Sequence, residues 1–500
     1  MTIVTTKYGD VQGIREDKYY SFKGIPFAAP PVGELRFRPP VKPAPWQGVR
    51  QCTEYGAPCL QLLKKNHVSQ KEMLPISSED CLYLNIKTPE IGQEAKLPVY
   101  VFIHGGGFES GGGNMPLYEG EKFAEKGIVY VTINYRLGIF GSYALDTLEK
   151  ESGCTGHYGI LDAARAVEWV YDNIAAFGGD PENITIGGQS AGAFIVSILM
   201  CMDSMKGLFK RCIMQSGSIM SSQVRNKYGT GNPEIKKAIS RMKAQDLGAD
   251  DSPEGVAKLR AMPAEDLVLC WEFGAGGYMF GRYGAPVLDN LLFKGDHHPD
   301  PRVQPPHDVE LLFGFNTDEG TLFAGYSMDE NYEDVIKDFF PYDWEKVLAK
   351  YPDGYMDTKF DQLSDVIGLK SFKACMIPYA DVLAKRGLKV YGYHFDYMTE
   401  KLENQGLGCR HIAELNMVFD KYHGVIGADD ENGYMTADYM NSAWAGFIKN
   451  GNPDSETSGH PVSWKPYDLA DRNTLKIRAD GFTNVRLERE EELDFFTNVK

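Results

Sequence analysis

The sequence predicts an α/β fold with a large, mostly parallel central sheet and helices on both faces. Two observations support this prediction: short, continuous apolar runs of strand length alternate with longer segments of helical periodicity, and no repeat or linker interrupts them. A strand, a helix and a second strand in that order are typical of parallel strands joined by right-handed crossovers. We expect residues 1–500 to form one domain of this class.

The first third of the chain contains the clearest elements. Leu97–Ile103 and Ile128–Asn134 are apolar runs and are predicted to be strands. Gly159–Phe177 has apolar residues near helical spacing, so we predict a helix, which the turn residues Gly178 to Pro181 end. The next elements are predicted in the order strand, helix, strand, at Ile184–Ile186, Ala191–Met200 and Arg211–Gln215.

The later elements are more widely spaced. Val309–Phe315 and Leu388–Phe395 are predicted strands, and Tyr439–Lys449 is a predicted helix. Between the early and the late strands, the segment 220–305 is richer in Gly, Pro and Met. We interpret this segment as a less regular, cap-like insertion, because binding sites are commonly built on loops that a rigid scaffold positions.

Composition and charge exclude several classes of protein. The 500 residues are 43% hydrophobic and 24% charged, which excludes a disordered chain and a small disulfide scaffold. The net charge of −17 repels phosphate backbones and anionic lipid surfaces, so we expect neither a nucleic-acid nor a membrane partner. No apolar stretch reaches the ~18 residues that a membrane-spanning helix needs.

Cysteine usage and the N-terminus favour a cytoplasmic protein. The nine cysteines are scattered and form no CxxC pair, so we expect neither a disulfide framework nor a cysteine zinc site. The first residues contain no apolar signal-peptide core.

One segment matches the pattern of a nucleophilic serine. Gly188 to Gly192 have the sequence G-x-S-x-G, with Ser190 at the centre. The motif is short enough to occur by chance, but it lies between a predicted strand and a predicted helix, which is the context that a nucleophile elbow requires. Such a turn holds the serine hydroxyl at the N-terminus of a helix, where the dipole favours developing negative charge.

A glycine-rich loop follows the strand Leu97–Ile103. Its sequence is His104-Gly105-Gly106-Gly107, and an HGGG loop in this place supplies backbone N–H groups to an oxyanion hole. The alternative is a dinucleotide-binding loop, but the sixth position of a G-x-G-x-x-G register from Gly105 is Ser110. We therefore expect an oxyanion hole and no organic cofactor.

An acid and a histidine must follow the serine in chain order. Asp318 and Glu319 directly follow one late predicted strand, and the residues alone do not decide between them. Seven histidines follow Ser190, and His411 is the one that comes soon after the other late predicted strand. His411 is therefore the candidate base.

Several ordered motifs together resemble the type-B carboxylesterases, the carboxylesterase and cholinesterase branch of the α/β-hydrolases. They extend over nearly the whole chain, at Phe22–Ala28, Leu35–Pro40, Ser78–Asn85, Phe177–Pro181, Gly187–Ala193, Trp444–Phe447 and Gly451–Pro453. The resemblance implies an α/β-hydrolase fold with insertions that form a substrate gorge. It also implies a serine hydrolase that needs no metal or cofactor.

The resemblance assigns roles to individual residues. The family's acid is the glutamate of its Asp-Glu-Gly segment, which matches Glu319, and its base matches His411. The oxyanion donors of the family match the backbone N–H groups of Gly106, Gly107 and Ala191. The family's first disulfide pair matches Cys59 and Cys81, so these two residues are a possible disulfide.

The chain also departs from the cholinesterase pattern. Gln189 stands where cholinesterases have a glutamate, and no tryptophan lies between Cys59 and Cys81, where they have a residue that binds quaternary ammonium. Choline esters are therefore not expected to be preferred. We predict that Phe108, Gln189 and Phe323 contribute to an apolar substrate pocket.

The sequence thus predicts hydrolysis of uncharged, small to medium acyl or aryl esters through an acyl-enzyme. An amidase or a transacylase would use the same residues, and a non-catalytic binding protein of this fold would be expected to lack the serine. The expected partner is a small-molecule ester, and the chain is expected to be a monomer or a small homo-oligomer.

Overall fold

The computed structural model describes residues 1–65, 68–154, 156–221, 233–273, 300–328, 330–340, 342–398, 408–421, 431–457 and 462–499. Its main feature is a sheet of 13 strands in the order β1-β2-β3-β7-β9-β8-β10-β11-β12-β13-β14-β15, with β4 beside β2, and a separate hairpin of β5 and β6. The strands are β1 (Thr2–Thr6), β2 (Gly9–Arg15), β3 (Tyr20–Pro26), β4 (Val49–Gln51), β5 (Leu62–Lys65), β6 (Val68–Met73), β7 (Tyr83–Thr88), β8 (Leu97–Ile103), β9 (Val129–Ile133), β10 (Gly179–Gln189), β11 (Arg211–Gln215), β12 (Glu310–Asn316), β13 (Val390–Phe395), β14 (Asn473–Arg478) and β15 (Gly481–Arg486).

Helices follow most of the central strands. They are α1 (Glu121–Glu125), α2 (Gly138–Ser142), α3 (Asp146–Ser152), α4 (Tyr158–Asn173), α5 (Ala191–Leu199), α6 (Pro233–Asp246), α7 (Pro253–Ala261), α8 (Ala264–Phe273), α9 (Thr321–Ala324), α10 (Tyr332–Phe339), α11 (Trp344–Lys350), α12 (Lys359–Gly368), α13 (Ile377–Lys385), α14 (Leu415–Val418), α15 (Glu431–Asn450) and α16 (Glu490–Asn498). A π-helical turn extends α12 over Leu369–Lys373, and 3₁₀ turns occur at Gly33–Leu35, Pro116–Tyr118, Ile174–Phe177, Asp203–Met205, Gly325–Ser327, Ala374–Met376 and Pro453–Glu456.

The centre of the sheet is parallel, as predicted. β9 pairs with β8, β8 with β10, and the series continues through β11, β12 and β13 to β14, all in parallel. Antiparallel pairs form both edges, with β1, β2, β3 and β7 at one end and β15 at the other. Because parallel strands point the same way, the loops that follow β8, β10 and β12 emerge at the same edge of the sheet.

The two faces of the sheet are both buried. Along β8, Val99, Val101 and Ile103 belong to one apolar core, while Tyr100 and Phe102 belong to the other. The first core includes residues of α4 and α5, and the second includes residues of α15. Continuous burial explains why this strand is an unbroken apolar run.

The predicted elements of the parallel region are present, with ends shifted by a few residues. The expectation of an irregular insertion is wrong for residues 233–273, which form α6, α7 and α8; residues 222–232 and 274–299 lie outside the described part. The prolines misled the prediction, since Pro233 and Pro253 are the first residues of helices, where proline is well tolerated. Within the described ranges, no helix is both long and apolar enough to cross a membrane.

Candidate active site

Ser190 lies on a sharp turn between β10 and α5. Its backbone has φ 55° and ψ −124°, a conformation that costs a non-glycine residue energy and that the surroundings must enforce. The neighbouring glycines make the turn possible, because a Cβ on Gly188 would overlap the backbone of Gly192, and a Cβ on Gly192 would overlap the carbonyl of Ile103. The amide of Ser190 donates to the carbonyl of Gln215, 2.9 Å away, which fixes the turn on β11.

The glycine loop after β8 packs directly against this turn. A Cβ on Gly105 would lie 3.0 Å from Cβ of Ser190, so only glycine fits without displacement. Gly106 and Gly107 have φ values of 116° and 65°, which favour glycine. Ala191 is the first residue of α5, so its N–H has no acceptor within the helix. These positions leave backbone N–H groups close to the serine.

His411 and Glu319 form a close, buried pair. The imidazole Nδ1 lies 2.5 Å from Oε2 of the carboxylate, and the amide of Asn316 donates to Oε1 at 2.7 Å. The neighbouring acid, Asp318, has a different partner, since its Oδ2 accepts from the amide of Cys409 at 2.7 Å. The geometry therefore favours Glu319 as the residue that orients the imidazole.

The other nitrogen of the imidazole contacts Gln189. Nε2 of His411 lies 3.1 Å from Nε2 of Gln189, and both side chains are buried. No hydrogen bond joins the hydroxyl of Ser190 to His411 in the part of the chain that the structure describes, although both residues line the same cavity. Such contacts are often long in a site without substrate and shorten in the Michaelis complex. The sequence placed Gln189 near the site but did not predict this contact.

A second buried carboxyl group, that of Glu414, lies behind the pair. Its oxygens accept from Nδ2 of Asn316 at 2.7 Å and from Nε2 of Gln215 at 3.2 Å. Burial, and then repulsion from Glu319, raise the pKa of Glu414 to about 7. Glu414 was not among the residues predicted for the site; the available signal was an acid only three positions after His411.

A cavity of about 460 Å³ lies over Ser190 and also contacts His411 and the glycine loop. Its apolar lining includes Leu62, Leu63, Leu74, Ile76, Met115, Leu322, Phe323 and Ile412. Gln189 and Phe323 are on the wall of this cavity. Phe108 is instead buried with its ring 6.1 Å from that of Phe194, and it is not among the lining residues.

Cys59 and Cys81 lie together at the base of the segment that carries the hairpin of β5 and β6. Both are buried and both are free thiols in the structure. A hydrogen bond with Cys59, followed by burial, raises the pKa of Cys81 well above its ordinary value. The Sγ of Cys59 also accepts from the amide of Leu137 at 3.3 Å. Their pairing as a disulfide stays a prediction.

Comparison with known proteins gives consistent results. The sequence profile of the Carboxylesterase family matches residues 1–496. The chain is 34% identical to the para-nitrobenzyl esterase of Bacillus subtilis (strain 168), covering 96% of this chain and 95% of that protein. It is 31% identical to the fumonisin B1 esterase of Sphingopyxis macrogoltabida, with coverages of 91% and 83%.

Solved structures agree with these sequence relatives. The structure of the Geobacillus stearothermophilus carboxylesterase EST55 that was solved at pH 6.2 aligns with a TM-score of 0.82 and 30% identity. The alignment covers 99% of this chain and 100% of the other. A structure titled PNB esterase aligns with a TM-score of 0.81 and 31% identity, covering 99% of both chains.

Proposed function

The chain belongs to the carboxylesterase family and is a carboxylic ester hydrolase, and we propose that it acts through an acyl-enzyme formed on Ser190. One observation carries the proposal. Ser190, on its strained turn, lines the same cavity as His411 and the glycines of the oxyanion loop, and His411 is held by buried Glu319. A nucleophile, a base, an orienting acid and backbone donors at one cavity are the components of acyl transfer.

In the proposed mechanism, the Nδ1–H of His411 donates to Glu319, so Nε2 carries no proton and can accept one. The hydroxyl of Ser190 transfers its proton to Nε2 while Oγ attacks the ester carbonyl. His411 then returns this proton to the leaving alcohol, and water repeats the sequence on the acyl-enzyme and releases the acid.

The tetrahedral intermediates place a negative charge on the former carbonyl oxygen. We assign the stabilisation of this oxyanion to the N–H groups of Gly106, Gly107 and Ala191. Removing one donor of such a set costs ~3 kcal/mol of transition-state stabilisation in comparable enzymes. The positive φ values of the loop support this assignment, because they turn successive amides toward one side.

The cavity supports uncharged esters of small to medium size as substrates. Its wall is mainly apolar, and none of the described residues that line it is an aspartate or a glutamate. A cationic alcohol would therefore find no carboxylate there. One relative is named for para-nitrobenzyl esters, and we propose benzyl and other aryl esters as the first substrates to examine.

The decisive experiment measures hydrolysis of a series of 4-nitrophenyl esters of increasing acyl length by the wild type and by Ser190→Ala. We expect turnover by the wild type, its loss in the variant, and a fall in kcat/KM where the acyl chain outgrows the cavity. Retention of turnover in Ser190→Ala would refute the assignment of the nucleophile. Matched 4-nitroanilides, assayed alongside, test the amidase alternative.

Other expectations from the sequence remain proposals. We propose that residues 1–500 are one domain, that the protein is a monomer or a small homo-oligomer, and that it is cytoplasmic. Light scattering of the purified protein measures the second of these directly.

A further inference from the structure

The buried carboxamide of Gln189 lies on the reactive side of the imidazole. Its Nε2 is 3.1 Å from Nε2 of His411, and a Cβ on Gly105 would lie 2.8 Å from its Oε1, so the amide lies between the base and the oxyanion loop. Gln189 and His411 are only 1% and 2% exposed. An amide in this place must act on the imidazole or be a buried polar group without compensation.

The two contacts of the imidazole together indicate the protonation state of the resting base. A carboxylate at Nδ1 requires a proton there, so Nε2 of the neutral ring is an acceptor, and the Gln189 Nε2 group is a donor that fits it. The single proton of the neutral ring is then on Nδ1, where it donates to Glu319. Both hydrogen bonds select the same tautomer, the one in which Nε2 receives the proton of Ser190.

We propose that Gln189 is a positioning residue that holds His411 as a neutral base and yields Nε2 to the hydroxyl of Ser190 when substrate binds. The inference rests on the proposed function. It gives a chemical meaning to the departure of this position from the glutamate of cholinesterases. A carboxylate accepts hydrogen bonds but donates none, so it would stabilise the imidazolium, whereas the amide stabilises the neutral ring.

The charges around His411 make this distinction important. Glu319 contacts Nδ1, and Glu414 follows on the same segment. Lys373, whose Nζ donates to the carbonyl of Thr317 at 2.6 Å, faces Glu319 from the π-helical turn. The rings of Phe323 and Phe372 cover the imidazole and contribute no charge. The site already contains two carboxyl groups. A third one, next to Nε2, would stabilise the imidazolium further, so the imidazole would become protonated at a higher pH.

The test compares pH profiles of kcat/KM for 4-nitrophenyl acetate in the wild type, Gln189→Glu and Gln189→Met. We expect Gln189→Glu to move the midpoint of the acid limb upward by about one pH unit. At pH values below both midpoints, kcat/KM of this variant should then be about tenfold lower than that of the wild type. Gln189→Met removes the hydrogen-bond donor without adding charge, so we expect it to lower kcat/KM at all pH values and to move the midpoint upward, but by less than Gln189→Glu does. Asn114 lines the same cavity and has no hydrogen bond with His411 in the described part of the chain, so Asn114→Asp adds a charge farther from the imidazole and should move the midpoint less than Gln189→Glu does.

Superimposable profiles of the wild type and Gln189→Glu would overturn the proposal, as would equal shifts in Gln189→Glu and Gln189→Met. Thermal unfolding of each variant shows whether it folds. If Gln189→Glu does not fold, nitrogen NMR of histidine-labelled wild type provides a second test, because the proposal requires a neutral His411 with its proton on Nδ1. Absence of ester turnover in the wild type would refute the proposed function instead, and the NMR measurement would still report on Gln189.

Discussion

Nδ1 of His411 lies 2.5 Å from Oε2 of Glu319, and the two side chains are 2% and 0% exposed. We predict that Glu319→Gln lowers kcat by ~10³-fold or more, because an amide can donate to Nδ1 and so stabilise the wrong tautomer. Steady-state kinetics with a 4-nitrophenyl ester measures the loss.

Asp318→Asn is the matched control for this prediction. Asp318 accepts from the amide of Cys409, and an asparagine retains an oxygen for that hydrogen bond. We expect most of the activity to remain in this variant. If Asp318→Asn were the more damaging change, the acid would be assigned to the wrong residue.

The two glycines proposed as oxyanion donors differ in the space around them. A Cβ on Gly106 would overlap the carbonyl of Ser110, whereas among the described residues, the chain neighbours apart, no atom lies within 4 Å of a Cβ on Gly107. We therefore expect Gly106→Ala to displace the loop and to lower kcat by ~10²-fold or more, with a smaller effect on KM. Gly107→Ala incurs mainly the cost of its left-handed backbone, ~1 kcal/mol, and should lower kcat by less than about tenfold. Equal losses would show that space around the loop does not determine its function.

The sequence predicted the parallel sheet and the strained serine because both depend on local order. Leu97–Ile103 is an unbroken apolar run, and the glycines around Ser190 are needed by a turn that is only a few residues long. The choice of Glu319 over Asp318 as the candidate acid required the family resemblance. It depends on which of the two side chains meets an imidazole that is 92 residues away in the chain.

The contacts that the sequence did not predict are tertiary ones. Gln189 meets His411 only because β10 and the segment after β13 end at the same edge of the sheet. Phe108 was expected on the cavity wall, but its positive φ of 63° directs the ring into the core against Phe194. The hairpin of Leu62–Lys65 and Val68–Met73 contains charged residues and lacks a long apolar run, so periodicity gave no signal for it.

The raised pKa of Glu414 predicts a pH dependence of stability. Because its pKa is about 7 in the folded protein and near 4.5 ordinarily, the folded state retains a proton that the unfolded chain releases, and stability falls as pH rises through this window. Glu414→Gln cannot ionise, and Gln215 and Asn316 each have a buried carbonyl oxygen without a partner in the described structure that an amide could use. We expect the variant to gain up to ~3 kcal/mol over the wild type at pH 8 and less at pH 5. Thermal unfolding at both pH values measures the difference, and an equal change at both would contradict the prediction.

A fully buried ion pair lies close to the glycine loop that we propose as a source of oxyanion donors. Asp162 accepts from the backbone amide, Nε and Nη2 of Arg136 at 3.0, 2.7 and 2.8 Å, and the side chains are at most 1% exposed. Two residues further on, the amide of Gly138 donates to the carbonyl of Phe108 at 2.7 Å. The pair thus lies beneath a backbone segment that holds the glycine loop.

Asp162→Asn should destabilise the protein strongly, because it leaves the guanidinium of Arg136 buried without a counter-charge. We expect a loss of ~3–5 kcal/mol in the free energy of unfolding, as found when one partner of a buried pair is removed. Asp172→Asn breaks an ion pair at the surface, in which the side chain of Lys7 is 61% exposed and that of Asp172 is 32% exposed. We expect this change to cost less than ~1 kcal/mol in the free energy of unfolding. Urea unfolding of both variants gives the comparison. Similar losses of stability in the two variants would mean that burial does not set the strength of the interaction between Arg136 and Asp162. The glycine loop would then have to be supported by packing alone.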